Sequence, residues 1–577
     1  MNYRTEREMQ RNRLLKNGDY TSIRDMLGRL RDLYPDQPIL AELDEQKHII
    51  YHTSQDIYEE VMNLGDGLLT IGMGGKHVAI VSENCYRYVI ADITISSGVG
   101  VVTPIDVNAP IALLAALLDR CDADAVLCGA EQLERLREAQ KECPRLKTFI
   151  TIDRKVEGIL FYGDLVDASR SHSGVSVFRS LELDLDAPAK ILFTSGTTGA
   201  NKGVVLTNRN LAANMINCMD VIMADDKENT SMSILPMHHA TEINTHIMAR
   251  MGSGRLTYIN DNLRHLMPNM KIFQPVIITI VPMIANAFYK NIWANARKAG
   301  KAEKLKKGIK LCKFFKKFGI DLTHKILADV YAPFGGKLSM IVCGGSMLNP
   351  VTIKGMNDLG IRMENGYGIT ECGPLISMNA DTLDEHLSVG KPCPGLQVKI
   401  ANPDADGVGD LCVKGPSVFR EYYKDPEATK AVFDEEGFFN TGDSARIDAR
   451  GRIILMGRKK NTIVLDNGKN ICPEEVENII ETHLDYADDI VVYPATFTSG
   501  SASREVLCAG LFISDETRRA DRSAIEKNMR TVNGLLPDYK RIEYVELPSS
   551  AYEKTSTRKI KRTALPATCS GEGINLM

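Results

Sequence analysis

Apolar residues recur along this chain with two different periods, and stretches of the two alternate. Ile57, Val61, Leu64 and Leu68 fall at helical spacing and form one stripe. His77 to Val81 is a short apolar run of strand length, Cys85 to Ser96 fits a helix, and Gly100 to Ile105 is again strand-like. Pro110 opens a helix that runs to about Cys121, and Ala125 to Cys128 returns to the strand pattern. This alternation predicts βαβ units, hence α/β architecture with a doubly wound, mostly parallel sheet between helices. Ahead of it, Ile23, Leu27 and Leu30 predict a single-faced helix in an arm from Met1 to about Pro38.

From Ser388 to Arg458 the pattern changes to short alternating strands and turns: SVGKPCPGLQVKI, GDLCVKGP, GFFNTGD and ARIDARGRIILMGR. It predicts a hairpin-rich antiparallel subdomain. Farther on, Asn461 to Leu465 is strand-like and runs into a turn at Asn467 and Gly468, a hairpin signal. Pro473 then opens a helix with Glu474 and Glu475 in its first turn and Val476, Ile479 and Ile480 on one face. Residues after Pro566 are small and polar and read as disordered.

A chain of 577 residues exceeds one ordinary core and divides into two or more domains. Apolar content of 44% and charged content of 25% are those of a soluble globular protein. A formal net charge of −4 gives no reason to expect nucleic acid. The 13 cysteines form no C-x-x-C pair and no metal-ligand spacing, which suits reduced thiols in the cytoplasm. The charged N-terminal stretch argues against a signal peptide, and the apolar run Pro275 to Phe288, interrupted by Pro282, is too short to span a bilayer.

Chemistry concentrates first in TSGTTGANKGV, Thr194 to Val204. Hydroxyls on Thr194, Ser195, Thr197 and Thr198 surround Lys202, while Gly196, Gly199 and Gly203 let the backbone turn its N–H groups inward. Those ingredients suit a polyphosphate. Lys202 is followed by Gly203 rather than by Ser or Thr, so this is not the P-loop of NTPases; the loop joins two strands, and a helix begins near Thr207 or Asn208. A flexible surface turn is the plainer alternative.

Other segments carry weaker signals. LPMHHATE, Leu235 to Glu242, holds adjacent His238 and His239, which bind a metal, donate to a phosphate or satisfy loop backbone. LSMIVCGGSML, Leu338 to Leu348, reads as a buried strand ending in a glycine turn at Gly344, Gly345 and Ser346. In ENGYGITECGP, Asn365, Gly366 and Gly368 predict a compact turn presenting Tyr367, Thr370 and Glu371: an aromatic to stack on a base, a phosphate donor and a Mg²⁺ carboxylate. Asp443 sits in the NTGD turn, where an Asp after Gly is usually a turn residue. Between Arg297 and Lys317 lie ten Lys or Arg and one acid, interleaved with Leu311, Phe314, Phe315 and, just beyond, Phe318. Such a run is a solvated helix face or, as a basic amphipathic segment over 297–318, a peripheral contact with an anionic membrane. EKTSTRKIKR, Glu553 to Arg562, reads by composition as a solvated basic tail.

Taken in order, these motifs resemble the adenylate-forming superfamily of acyl-CoA synthetases, luciferases and peptide-synthetase adenylation domains. The HHATE ending and the form TSTRKIKR are most similar to bacterial long-chain fatty acyl-CoA synthetases. The resemblance implies a large AMP-binding domain at 1–459, with its β-rich part at about 388–458, and a small mobile α+β domain at 460–577. It implies ATP with Mg²⁺, a medium- or long-chain fatty acid, and CoA as co-substrate. Thr194 to Lys202 would hold phosphate, His239 would face the acyl carboxylate and α-phosphate, and the turn at Gly345 and Ser346 would cover the adenine opposite Asn365 to Gly368. Thr370 would donate to phosphate, Glu371 would ligate Mg²⁺, Asp443 and Arg458 would reach the ribose, Lys460 would be the hinge, and Lys559 the catalytic lysine. Asn201, Asp410, Glu421, Glu553 and Arg558 depart from the family pattern; Asp410 and Glu421 read as peripheral to chemistry. Acyl carrier protein as acceptor, release of the adenylate, and a non-catalytic relative are the competing readings.

Overall fold

The computed structural model describes residues 21–170, 176–194, 202–221, 230–346, 348–379, 388–464, 470–484, 486–499, 502–554 and 560–577. The helix Ser54–Thr70 shows how the pattern becomes structure. Thr53 and Asp56 form a reciprocal capping box at its start, and Ile57, Val61, Leu64 and Leu68 are all inaccessible to solvent. At the amino-terminal end the helix is confined to Ile23–Leu33, capped by Ser22, and Pro38 begins a strand; residues 1–20 lie outside the described residues.

Two large sheets carry the N-terminal part. In the eight-stranded sheet, strands from Gly100–Pro104 through Lys76–Val81, Ala125–Cys128 and Thr148–Thr151 to Leu160–Phe161 are parallel. Pro188–Thr194 joins this array in parallel, and Lys202–Thr207 and Glu421–Tyr422 extend it antiparallel. The nine-stranded sheet also has a parallel middle, but it is antiparallel at both ends. The helix Asn208–Val221 starts where expected, with Thr207 Oγ1 accepting from the N–H of Asn210 at 3.2 Å. One continuous core runs from the Ser54–Thr70 stripe past Met215 and Ile243 to Tyr367, Ile376 and Phe439.

A polar chain crosses this core. Lys190 Nζ donates to Asp92 Oδ1 at 2.6 Å and to Asn244 Oδ1 at 2.9 Å; the Asn244 carbonyl accepts from Asn214, whose Oδ1 accepts from the N–H of Leu375. Lys190 and Asp92 are 1% and 0% exposed, so the ion pair is fully desolvated and holds its partners in register.

Residues 397–458 form a four-stranded antiparallel sheet, Gln397–Ala401, Gly409–Lys414, Phe439–Ile447 and Ile453–Arg458. Two short strands of the same stretch leave it: Lys391–Pro392 joins the nine-stranded sheet and Glu421–Tyr422 the eight-stranded one. The smaller C-terminal domain has its own core, with Val476, Ile480, Ile525 and Met529 packed against Leu507, Ala509 and Val545.

Three expectations are corrected. Asn365, Gly366 and Gly368 are not a turn but the end of the strand Arg362–Gly368; the turn follows at Thr370–Cys372. A Cβ on Gly368 would stand 2.2 Å from the Pro374 carbonyl oxygen, so this glycine serves close backbone approach. Asp443 likewise lies within the strand Phe439–Ile447, where Gly442 takes a positive φ without ending the pairing. The residues after Pro566 are ordered: Ile574–Asn575 pairs with Tyr544–Glu546, and Ile574 and Leu576 are buried. Two apolar side chains are too few to register as a period.

Candidate active site

Strand ends assemble the site. Thr194 and Lys202 face each other at the base of the hydroxyl-rich loop, as the last pair of the ladder. Ser195, Gly196, Thr197, Thr198 and Gly199 lie outside the described residues. Lys202 Nζ stands 4.6 Å from the ring centroid of Tyr422, a cation–π distance, and the Tyr422 hydroxyl donates to Glu371 Oε1 at 2.9 Å. The edge strand Glu421–Tyr422 thus clasps the loop's lysine to the carboxylate. Burial, then the Glu371 charge, push the Tyr422 phenol far above its ordinary value, so it stays a donor.

A second tyrosine–carboxylate pair lies in the adjoining strands. Tyr367 Oη donates to Asp443 Oδ2 at 2.6 Å, and Arg458 Nε donates to Asp443 Oδ1 at 3.0 Å. Asp443 and Arg458 are direct partners in the antiparallel ladder, which fixes their approach. Tyr367 is buried, and desolvation ahead of the Asp443 charge keeps it protonated. Its hydroxyl therefore orients Asp443. The turn carrying Gly345 and Ser346 lies alongside, since a Cβ on Gly344 would be 3.2 Å from the Gly366 carbonyl oxygen. Asn365 is held by its N–H to Asn379 Oδ1 at 2.6 Å.

Thr370 opens the short turn before Gly373, and the carbonyl of Glu371 accepts from Phe419 N at 2.7 Å. Lys460, in the turn Lys459–Asn461, feels Arg458, Asp443, Glu371 and Lys202 together; burial and the two cations lower its ammonium pKa against the two carboxylates.

The histidine loop is pinned from below. Buried Glu242 accepts from the Leu235 N–H at 3.2 Å and bonds His246 Nδ1 at 3.0 Å, while Asn84 donates to the Leu235 carbonyl and accepts from the N–H of Met237, each at 2.9 Å. The rings of His238 and His239 are 4.1 Å apart, immediately before the π-helix Thr241–Ile247. Burial lowers the His238 pKa to about 4, with Asp106 Oδ2 4.0 Å away.

Lys559 lies outside the described residues, but its frame is visible. Lys554 and Ile560 form an antiparallel bridge, and Lys561 N donates to the Glu553 carbonyl at 2.8 Å, so the described flanks on either side of 555–559 are paired. Arg562 clamps one arm, donating to Glu477 at 2.7 and 2.9 Å and to the Val492 carbonyl at 2.8 Å; Lys554 pairs with Asp489 on the other. The composition had suggested a solvated tail. Between the domains, Glu481 accepts from Asn286 at 3.1 Å and pairs with Lys290 at 3.2 Å, and Asn349 reaches the Asn478 carbonyl at 3.3 Å. Asp410, read as peripheral, pairs with Lys459 at 3.0 Å beside Lys460.

Sequence reasoning missed Tyr422, Asn84, His246, Glu477 and Glu481, whose roles come from partners far along the chain. Among the described residues no three His, Cys, Asp or Glu side chains group as a metal cage. A lone hard carboxylate at Glu371 beside a phosphate-loop lysine fits Mg²⁺, which keeps waters and phosphate oxygens as its other ligands.

The sequence pattern of the AMP-binding enzymes matches residues 31–423. The human long-chain-fatty-acid–CoA ligase 6 is 26% identical over 457 residues, 74% of this chain and 65% of the relative. The peroxisomal long chain acyl-CoA synthetase 6 of Arabidopsis thaliana is 29% identical, over 72% of this chain and 63% of its own. The match thus spans just under two thirds of these relatives, which are eukaryotic, whereas the motif forms pointed to bacterial ones. Among solved structures, the A domain of a carboxylic acid reductase from Segniliparus rugosus, in complex with AMP and a co-purified carboxylic acid, superposes with a TM-score of 0.77 at 18% identity, covering 97% of this chain and 94% of that one. ATP-bound MatB from Rhodopseudomonas palustris gives 0.72 at 19% identity, covering 94% and 98%. These likenesses establish the fold.

Proposed function

Because the chain belongs to the AMP-binding enzyme family, we propose that it is an AMP-forming acid–thiol ligase that activates a medium- or long-chain fatty acid and transfers it to CoA. The observation that carries this reading is the pair of linked side-chain sets, Lys202–Tyr422–Glu371 and Tyr367–Asp443–Arg458, at the ends of the strands. The names of the relatives supply the acyl class. The reaction is placed in the cytoplasm.

The chemistry follows from charge. A carboxylate attacks the α-phosphorus of ATP, releasing pyrophosphate and forming an acyl-adenylate; a thiol then displaces AMP. Attack of one anion on another is opposed electrostatically, so positioned donors and cations supply most of the help. Lys202 and the hydroxyls from Thr194 to Thr198 hold the β- and γ-phosphates. Glu371, oriented by Tyr422, would hold Mg²⁺, which when bound would neutralise phosphate oxygens. Asp443, oriented by Tyr367 and Arg458, accepts from the ribose hydroxyls. His239 and Thr370 donate to the acyl carboxylate and α-phosphate, and Lys559 bridges the two. No covalent enzyme nucleophile is needed. Thioester formation requires Lys559 to withdraw, and we place the hinge at Lys460, at the start of a small domain spanning 460–577.

The test is a mass-spectrometric product assay with ATP, Mg²⁺ and a panel of carboxylic acids, run with CoA, with acyl carrier protein and with neither. Long-chain acyl-CoA is the expected product, abolished by Lys559→Ala. Transfer to the carrier protein alone would replace the acceptor, and absence of any adenylate across the panel would overturn the reading.

A further inference from the structure

The helix Ala302–Lys316 carries two apolar faces, and only one is used. Leu305 and Cys312 turn inward and are buried, with Ile309 half-buried beside them against the helix Pro282–Lys298 and its neighbours. On the other side Leu311 is 45% exposed and Phe314 55%, and just past the helix end Phe318 is 67% and Ile320 49% exposed. The rings of Phe314 and Phe318 are tilted against each other with centroids 5.2 Å apart, and Phe315 meets Phe314 edge-on at 5.6 Å. Leu311, Phe314 and Phe318 follow at intervals of three and four residues, so they form one stripe. Desolvating such a cluster is favourable, and the described residues leave it in water.

Cations frame the stripe. Lys304, Lys307, Lys310 and Lys317 are exposed around it, and the stretch 297–317 holds ten Lys or Arg against Glu303 alone. Lys306 is paired with Glu303 and Lys313 with Asp358, so part of the charge is answered within the protein, but the excess faces outward with the aromatic rings. This is the pattern of a helix lying in the plane of an anionic bilayer, rings among the acyl chains and ammonium groups at headgroup level. A protein partner is the weaker fit, because lysine is depleted at protein–protein interfaces. No described helix is long and apolar enough to cross a membrane, so the contact would be peripheral.

We propose that Leu311, Phe314, Phe318 and Ile320, ringed by these lysines, form a docking surface for an anionic lipid membrane. The surface lies apart from the ATP site and is assayed by binding, so its failure is separate from failure of the ligase reading. The full chain is sedimented with vesicles of phosphatidylcholine alone and of phosphatidylcholine mixed with phosphatidylglycerol, at low and high salt. Expected are about tenfold tighter binding to the anionic vesicles, weakening with salt, and loss of that preference in Lys307→Gln/Lys310→Gln/Lys317→Gln. Phe314→Ser/Phe318→Ser should abolish binding to either vesicle. All these side chains are exposed, so the variants are expected to fold; Phe314→Trp gives an independent readout, a blue-shifted emission on adding anionic vesicles. Equal binding to neutral vesicles, no binding, or binding untouched by both multiple variants would overturn the proposal. So would capture of an acidic carrier protein by this face with no vesicle binding.

Discussion

Tyr422 illustrates how a single side chain joins two parts of the site. Its ring receives Lys202 and its hydroxyl orients Glu371. Tyr422→Phe keeps the ring and removes one charge-assisted hydrogen bond, about 1.5 kcal/mol. The expected result is roughly tenfold slower ATP–pyrophosphate exchange with a raised Mg²⁺ requirement and little change in fatty-acid KM; an unchanged Mg²⁺ dependence would remove the residue from the site. His238 gives a pH prediction. Its folded pKa of about 4 lies below the unfolded value near 6.5, so the unfolded chain takes the proton first. The stability in question is complete above pH 6.5 and is lost as the pH falls toward 4, by roughly 2–3 kcal/mol with Asp106 opposing part of it. Denaturant titrations at several pH values should show this slope, and His238→Asn should flatten it.

At the scale of elements, the paired flanks on either side of the segment that contains Lys559 are held by Arg562 on Glu477 and by Lys554 on Asp489. Arg562→Ala should slow adenylation by about 10- to 100-fold, since small displacements of a catalytic group are costly, while leaving thioester formation from supplied acyl-adenylate near its normal rate. Equal loss in both half-reactions would mean that the pair only holds the small domain together. The strand Pro188–Thr194 leads to the phosphate loop and is tied across the core by Lys190. Lys190→Met strands the Asp92 charge in a dry interior and should cost about 3–5 kcal/mol. Asp92→Leu together with Lys190→Met should restore much of it, read as the denaturation midpoint.

For the whole molecule, the small domain touches the large one through Glu481 with Asn286 and Lys290 and through the Asn478 carbonyl with Asn349. These contacts are polar, which suits the proposed hinge motion. Lys460→Pro fixes φ in the turn Lys459–Asn461 and should impair thioesterification more than adenylation. Measuring the half-reactions separately decides this, and equal loss would move the hinge elsewhere.

Periodicity and motif order made the architecture legible, because helical stripes, βαβ alternation and short hairpins are local consequences of which side chains must be buried. The candidate residues could be named from the sequence too: Lys202 and Glu371 from their motifs, and Asp443 and Arg458 from the resemblance, with their roles resting on the proposed function. Gly368 was misread as a turn glycine because its close approach to the Pro374 carbonyl arises only once the chain folds back after Thr370–Cys372, and the tail was misread because its strand pairing is supplied by Tyr544–Glu546. The sequence by itself determined the elements and the reactive groups. Only the tertiary structure decided which tyrosine orients which carboxylate, what anchors the flanks of the Lys559 segment and which face of the basic helix stays bare, because those contacts join segments far apart in the chain and local pattern carries no record of them.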